Sequence, residues 1–331
     1  MISRRFCIAL LCVLAVLFTG CTQVSSGDKT PAPEKPATMQ ETSLPAADGK
    51  NQKQEPAKPA ADAKTPKQDA TKPPADGKPS KPALPYVIAA DDLSNLQLAD
   101  ADHPVYDAHT LSERISLGLP VAMPPLSPYR GQKTAYLTFD DGPDDEVTLA
   151  ILDILAENNV KATFYVTGLH AAAYPDTIRR MVAEGHAVGN HSYDHDYDRL
   201  YSSPDAFLYE MEQTDEILHG ILGFRPLILR APGGTFSNFT SAYEDCLKEN
   251  GYVEHDWNVS SADTAPGNPT AQDFIDNVIS QTADGKESAI ILMHSSSGHQ
   301  ETAKALPEII RGLRENGYRF GVVTPMTPQP W

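Results

Sequence analysis

Cysteine and tryptophan are both scarce in this chain, with four of one and two of the other. Cys7 and Cys12 lie in an apolar N-terminal stretch and Cys21 follows it, which leaves only Cys246 for the rest. A single thiol forms no internal disulfide, so a disulfide-stapled scaffold is excluded. Cys246 falls in a helix-like stretch, where it reads as a small packed hydrophobe. An apolar run of membrane-spanning length is missing too. The run at residues 6–18 has thirteen residues, short of the roughly 20 that a crossing helix needs. Positive charge is also in deficit, because residues 86–331 hold 15 Lys and Arg against 36 Asp and Glu. Nucleic acid would be repelled and is excluded as a partner, whereas a neutral polysaccharide and a cationic product are compatible.

What is present divides the chain into unlike parts. Arg4 and Arg5 precede the apolar run, and Thr19-Gly20-Cys21 follows it. Residues 1–21 therefore read as a secretory signal ending in a pattern that resembles a bacterial lipobox, with Cys21 as the lipidated mature N-terminus. Phe18 departs from the usual aliphatic residue, and a plain cleaved signal is the simpler alternative. Residues 22–85 hold ten Lys, eight Asp and Glu and many Pro and Ala. They have almost nothing to bury, so a disordered, partly extended tether is expected. Residues 86–130 connect this tether to the rest, with a strand-like start at 86–88, a helix-like stretch at 111–117 and no assigned role.

From Gly131 onward short apolar runs alternate with amphipathic helices. Strands are expected at 134–139, 161–166, 186–190, 226–230, 252–259, 288–293 and 319–323. Helices are expected at 146–158, 175–184, 205–222, 240–250, 270–283 and 302–316. This alternation predicts parallel strands with crossover helices, and about seven units suggest an α/β fold of the distorted (β/α)7-barrel type. In such barrels the chemistry sits where strands end and helices begin.

Five polar clusters fall at those ends. Thr138-Phe139-Asp140-Asp141-Gly142-Pro143 closes the first strand. Two adjacent carboxylates repel each other, and a metal on one with the other as base would justify them; turn chemistry alone is the plain alternative. His191-Ser192-Tyr193-Asp194-His195 follows the third strand. On a helical turn its two histidines share a face, the spacing a divalent metal needs. Two His and one Asp leave coordination positions open, as in a catalytic site. Arg230-Ala231-Pro232-Gly233-Gly234, Asp263 and His294 complete the set.

In these motifs residues 131–325 resemble the polysaccharide deacetylase family, carbohydrate esterase family 4. The resemblance implies that Asp141, His191 and His195 hold one divalent metal, zinc first, with cobalt, nickel or manganese also suited to the donors. It implies Asp140 as general base, with Arg230 holding it ionised and lowering its pKa. It implies His294 as general acid, Asp263 as the acid's partner, and a backbone N–H near Gly233 as oxyanion donor. Four positions depart from the family pattern. Ser260 and Thr264 replace an Asp and a groove-wall Trp, Gly233 replaces an aromatic, and Ser295 replaces an acid after His294. Trp257 reads equally as core or as groove wall, and Tyr193, Tyr197 and Tyr201 equally as groove or as packing. His170, His186, His219, His255 and His299 read as structural.

The implied activity is removal of N-acetyl groups from cell-wall polysaccharide, peptidoglycan N-acetylglucosamine first. An O-deacetylase of xylan or another glycan and a silent glycan-binding lipoprotein are the alternatives. The expected setting is the outer face of a bacterial membrane. There Cys21 would anchor a monomer whose tether reaches the wall.

Overall fold

The computed structural model describes residues 84–330 apart from 90, 95 and 97–99. The expected signal, Cys21 and nearly all of the tether lie outside the described residues. The described chain begins with β1 (Val87–Ala89), β2 (Val105–Asp107) and α1 (Leu111–Leu117). Next come β3 (Thr134–Asp140), α2 (Val147–Glu157), β4 (Thr163–Val166), α3 (Gly168–Ala173), α4 (Pro175–Ala183) and β5 (Ala187–Asn190). They are followed by α5 (Tyr197–Leu200), α6 (Pro204–Leu222), β6 (Arg225–Pro226), β7 (Ile228–Leu229), α7 (Ser241–Glu249) and β8 (Val253–Glu254). The chain closes with β9 (Val259–Ser260), α8 (Ala271–Thr282), β10 (Ser288–His294), α9 (Gln300–Glu315) and β11 (Arg319–Gly321). Among the described residues no helix is long and apolar enough to cross a membrane.

The main sheet runs β8-β7-β5-β4-β3-β10-β9, with β11 added to β3. Among the described residues every strand pairing within it is parallel. β3 is buried at all seven positions, as befits a parallel strand covered on both faces. One edge of β3 pairs with β10 from end to end, so that Asp140 stands opposite His294. Its other edge is shared: Arg319 of β11 pairs with Thr134, and Tyr165 of β4 with Asp140.

β8 and β9 end the path on opposite sides, yet only residues 255–258 join them. Five Cα steps reach at most about 18 Å, so the sheet must curl until its ends almost meet. The result is the expected distorted barrel, open at one seam. Helices cover its outside by helical spacing of apolar residues. Ile151, Leu152 and Leu155 of α2, with Leu306, Ile309, Ile310 and Leu313 of α9, bury against Leu137, Phe164 and Ile291 of the strands.

Two expected strands divide. The 226–230 run breaks at Leu227, because Arg225 and Pro226 pair antiparallel with β2 while Ile228 and Leu229 join the barrel. The 252–259 run breaks because its middle crosses the seam. The 86–130 segment packs as part of the body. Fully buried Asp107 at the end of β2 binds Arg114 at 2.6 Å and Arg225 at 3.2 Å. Arg225 reaches Asp215 at 3.1 Å, and Asp215 in turn accepts from Asn190 and Tyr252.

Candidate active site

Strand register brings the polar clusters together. Asn190 pairs with Leu229, so the residues that follow them, His191 and Arg230, emerge side by side. The His191 Nδ1–H donates to the Arg230 carbonyl at 2.8 Å, which turns Nε2 with its lone pair toward Asp141. That nitrogen is 3.5 Å from Asp141 Oδ1, and His195 Nε2 is 3.6 Å from the same oxygen. The histidine pair does not sit on a helical turn, contrary to the expectation from spacing. Residues 191–195 form a loop in which Ser192 and His195 take left-handed φ values of 67° and 61°. This folding back, and not helical periodicity, converges the imidazoles. Asn190 Oδ1 accepts the Ser192 N–H and the Ser192 hydroxyl accepts the His195 N–H, which fixes the loop.

The donor set fits a metal. Asp141 Oδ1 is buried and has no hydrogen-bond partner, a costly state unless a cation engages it. Among the described residues, Asp141, His191 and His195 are the group whose ligand atoms converge, all within 4.8 Å of one another. Tetrahedral ligands at about 2.0–2.1 Å from an ion stand about 3.3–3.4 Å apart, close to the spacing seen. Burial lowers the His191 pKa to about 3 against the opposing charge of Asp141, so the ring is neutral, the ligating form.

Asp140 lies beside this set, with Oδ2 3.8 Å from His191 Nε2. Its other oxygen accepts from Arg230 Nη1 at 2.9 Å. Arg230 is fully buried and donates also to Thr138 Oγ1, the His255 carbonyl and the Asp256 carbonyl. Its guanidinium lies 4.3 Å from the Tyr165 ring centroid. Burial is the larger effect and raises the Asp140 carboxyl above its usual value, while Arg230, as expected, and His294 pull it down.

Across the strand boundary, His294 Nδ1 bonds Asp263 Oδ1 at 2.9 Å, and the His294 N–H donates to Asp263 Oδ2 at 2.8 Å. Thr302 Oγ1 donates to the same Oδ2. Burial alone would depress the imidazole, but the hydrogen bond and charge of Asp263, with Asp140 and Asp141, raise its pKa to about 9. Asp263 is held below the usual carboxylate range by these same partners, although burial works the other way. Gly233 sits in the turn after β7 with φ 72°. Among the described residues its N–H has no acceptor, whereas the Gly234 N–H bonds the Ala231 carbonyl.

Other residues join the site: the sequence reading took His170 and His299 as structural and left Tyr197 open between groove and packing. The His170 Nδ1–H donates to the Asp141 carbonyl at 2.5 Å and so supports its left-handed φ of 71°. His299 stacks on His294 with ring centroids 5.2 Å apart, and Tyr197 meets the His195 ring edge-on at the same separation. No spacing rule signals these contacts, which join side chains from separate segments of the chain. His186 and His255 keep their structural reading: His186 Nδ1 accepts the Ala162 N–H, and the His255 Nε2–H donates to the Thr327 carbonyl.

Comparison with known proteins places the chain in a family. The polysaccharide deacetylase family pattern matches residues 128–254. A Bacillus cereus peptidoglycan-N-acetylglucosamine deacetylase is 34% identical over 193 residues, 57% of this chain and 68% of that protein. The peptidoglycan-N-acetylmuramic acid deacetylase PdaA of Bacillus subtilis is 36% identical over 194 residues, 57% of this chain and 69% of its own. Among solved structures, the catalytic domain of a Eubacterium rectale peptidoglycan N-acetylglucosamine deacetylase is similar, with TM-score 0.54 and 32% identity, over 65% of this chain and 96% of that one. The chain therefore belongs to the polysaccharide deacetylase family and is a hydrolytic deacetylase.

Proposed function

We propose that this protein is a metal-dependent, lipid-anchored deacetylase that removes the N-acetyl group of N-acetylglucosamine in peptidoglycan. The observation that carries the reading is the unpartnered, buried Asp141 Oδ1 facing two imidazole nitrogens, beside a second carboxylate and an acid-competent histidine. A divalent ion held by Asp141, His191 and His195, zinc by preference, supplies a Lewis acid for the acetyl oxygen and makes water more acidic. Asp140 takes a proton from water through Oδ2, since Oδ1 is committed to Arg230. Arg230 fixes the carboxylate's direction. The Gly233 N–H receives the developing oxyanion. His294 protonates the leaving nitrogen through Nε2, because Nδ1 is engaged by Asp263.

Relatives named for N-acetylglucosamine and for N-acetylmuramic acid are similarly close, so the sugar is the open choice in this reading. The test is acetate release from purified peptidoglycan, chitooligosaccharide and acetylxylan, with and without chelator, followed by identification of the amino sugar left unacetylated. Chelator-sensitive release with free glucosamine in the wall supports the proposal. Release only from acetylxylan overturns it in favour of O-deacetylation. Free muramic acid in place of glucosamine moves the assignment to the neighbouring sugar.

A further inference from the structure

Tyr201, just past α5, reaches the turn that follows β7. Its hydroxyl donates to the Pro232 carbonyl at 2.6 Å. That carbonyl and the Gly233 N–H belong to one peptide unit, and in a planar trans peptide the two groups point in opposite directions. A carbonyl held on Tyr201 therefore sends the N–H to the other side of the chain, where among the described residues nothing accepts it. The Tyr201 ring is itself held, because it packs among Phe207, Phe239 and Tyr243. The Tyr243 hydroxyl donates to the Tyr201 carbonyl at 3.0 Å. Burial pushes the Tyr201 phenol up, so its hydroxyl stays a donor.

The turn is held from a second direction. Gly233 and Gly234 both take left-handed φ, 72° and 79°, and they bring no side chain that packing could grip. The residue after them does the anchoring. Asp256, only 3% exposed, accepts the Thr235 N–H at 3.0 Å on Oδ2 and the Thr235 hydroxyl on the same oxygen. Arg230 Nη2 donates to the Asp256 carbonyl at 3.2 Å, so the guanidinium that orients Asp140 anchors Asp256 as well. Asn238 Nδ2 closes the turn on the Gly234 carbonyl at 2.7 Å.

We propose that Tyr201 and Asp256 are positioning residues that aim the Gly233 N–H as oxyanion donor, Tyr201 through the carbonyl of the same peptide unit and Asp256 through Thr235. The inference rests on the deacetylase reading above and adds the groups that direct its oxyanion donor. A donor contributes to catalysis to the extent that its direction is fixed before charge develops. A hydrogen bond on the carbonyl also polarises the peptide and makes its N–H the stronger donor. Where the family pattern has an aromatic at 233, this chain has a bare glycine, and polar bonds from two sides supply the rigidity.

The sequence allows a direct measurement, because Pro precedes Gly only at Pro232-Gly233 and Pro266-Gly267. Full-length protein carrying carbonyl-13C proline and 15N glycine gives one carbonyl–amide correlation for each. The first reports the turn and the second serves as an internal reference. Tyr201→Phe keeps the ring and loses the hydroxyl. It should move the Pro232 carbonyl resonance upfield, as loss of a hydrogen bond does, and leave that of Pro266 in place. Its kcat on chitotetraose should fall about tenfold, a part of the roughly 10²–10³ that loss of a whole oxyanion donor costs, with KM and metal content unchanged. Thr235→Val should also lower kcat at constant KM, and Thr235→Ser, which keeps the hydroxyl, should recover most of it. A Pro232 resonance that stays put, or native kcat in Tyr201→Phe, overturns the inference. Native kcat in Thr235→Val removes Asp256 from it. A kcat loss that comes with lost metal or a displaced Pro266 resonance assigns Tyr201 to structure alone and overturns the inference too. In all these outcomes the parent protein still releases acetate, and the deacetylase reading stands. A parent that releases none removes that reading and the oxyanion role together.

Discussion

Asp140 and His294 stand opposite each other on adjacent strands, so one register setting places a proton acceptor next to a proton donor. Their roles separate by environment: burial raises the carboxyl, and Asp263 raises the imidazole. Asp140→Asn should keep its metal, measured by elemental analysis, and lose about 10²–10⁴-fold in kcat, the usual contribution of a general base. His195→Ala should lose most of the metal. An Asp140→Asn enzyme with near-native turnover would sink the base assignment. The pH profile tests the acid. With the His294 pKa at about 9, the acid form is lost above that pH and kcat/KM falls. Asp263→Asn removes the group that holds the imidazolium, leaving burial unopposed by it. The alkaline limb should then move down by about one unit or more. The stability linkage has the same direction. The folded pKa is raised above the unfolded value of about 6.5, so the contribution is complete below that pH and disappears as pH rises through about 9.

At the scale of elements, the barrel was legible because buried parallel strands and amphipathic helices carry strong periodicity. The expected 134–139 and 288–293 strands appear as Thr134–Asp140 and Ser288–His294. The 111–117 helix appears in full, capped by Thr110 and Glu113 in a reciprocal box. What escaped was set by tertiary contact. β2 and the three-stranded sheet β1-β2-β6 are too short to announce themselves. The left-handed loop of His191 and His195 depends on side-chain bonds from Asn190 and Ser192 that spacing does not reveal. The candidate site residues were legible by type and Tyr197 stayed open between groove and packing, whereas the contacts of His170 and His299 were not legible, because neighbours from separate segments have no period. The buried ion network belongs to this scale too. Asp107 balances Arg114 and Arg225 at zero exposure. Asp107→Ala leaves two buried guanidinium groups short of a partner and should cost about 3–5 kcal/mol in denaturant unfolding. A change below about 1 kcal/mol would mean that water relieves the charges.

On the scale of the whole molecule, the acidic domain and the basic, proline-rich 22–85 stretch are chemically unlike. The proposed anchoring predicts that lipid labelling in a bacterial host requires Cys21. Label retained by Cys21→Ser protein would end that reading. A tether of about 60 extended residues at ~3 Å each would span well over 100 Å. The barrel itself adds a constraint of another kind. β3, the first strand of the main sheet, shares one edge between β4 and β11, and β11 is the last strand made. Just beyond it, the Val323 N–H donates to Thr163 Oγ1 of β4. A ribosome delivers these partners at the two ends of the domain's synthesis. The strand that carries Asp140 therefore waits unpaired along part of its edge until the C-terminus is released. Contacts so distant in sequence slow folding. Conversely, a nonsense lesion just ahead of Arg319 would spare every polar group of the site and still leave β3 without its β11 partner.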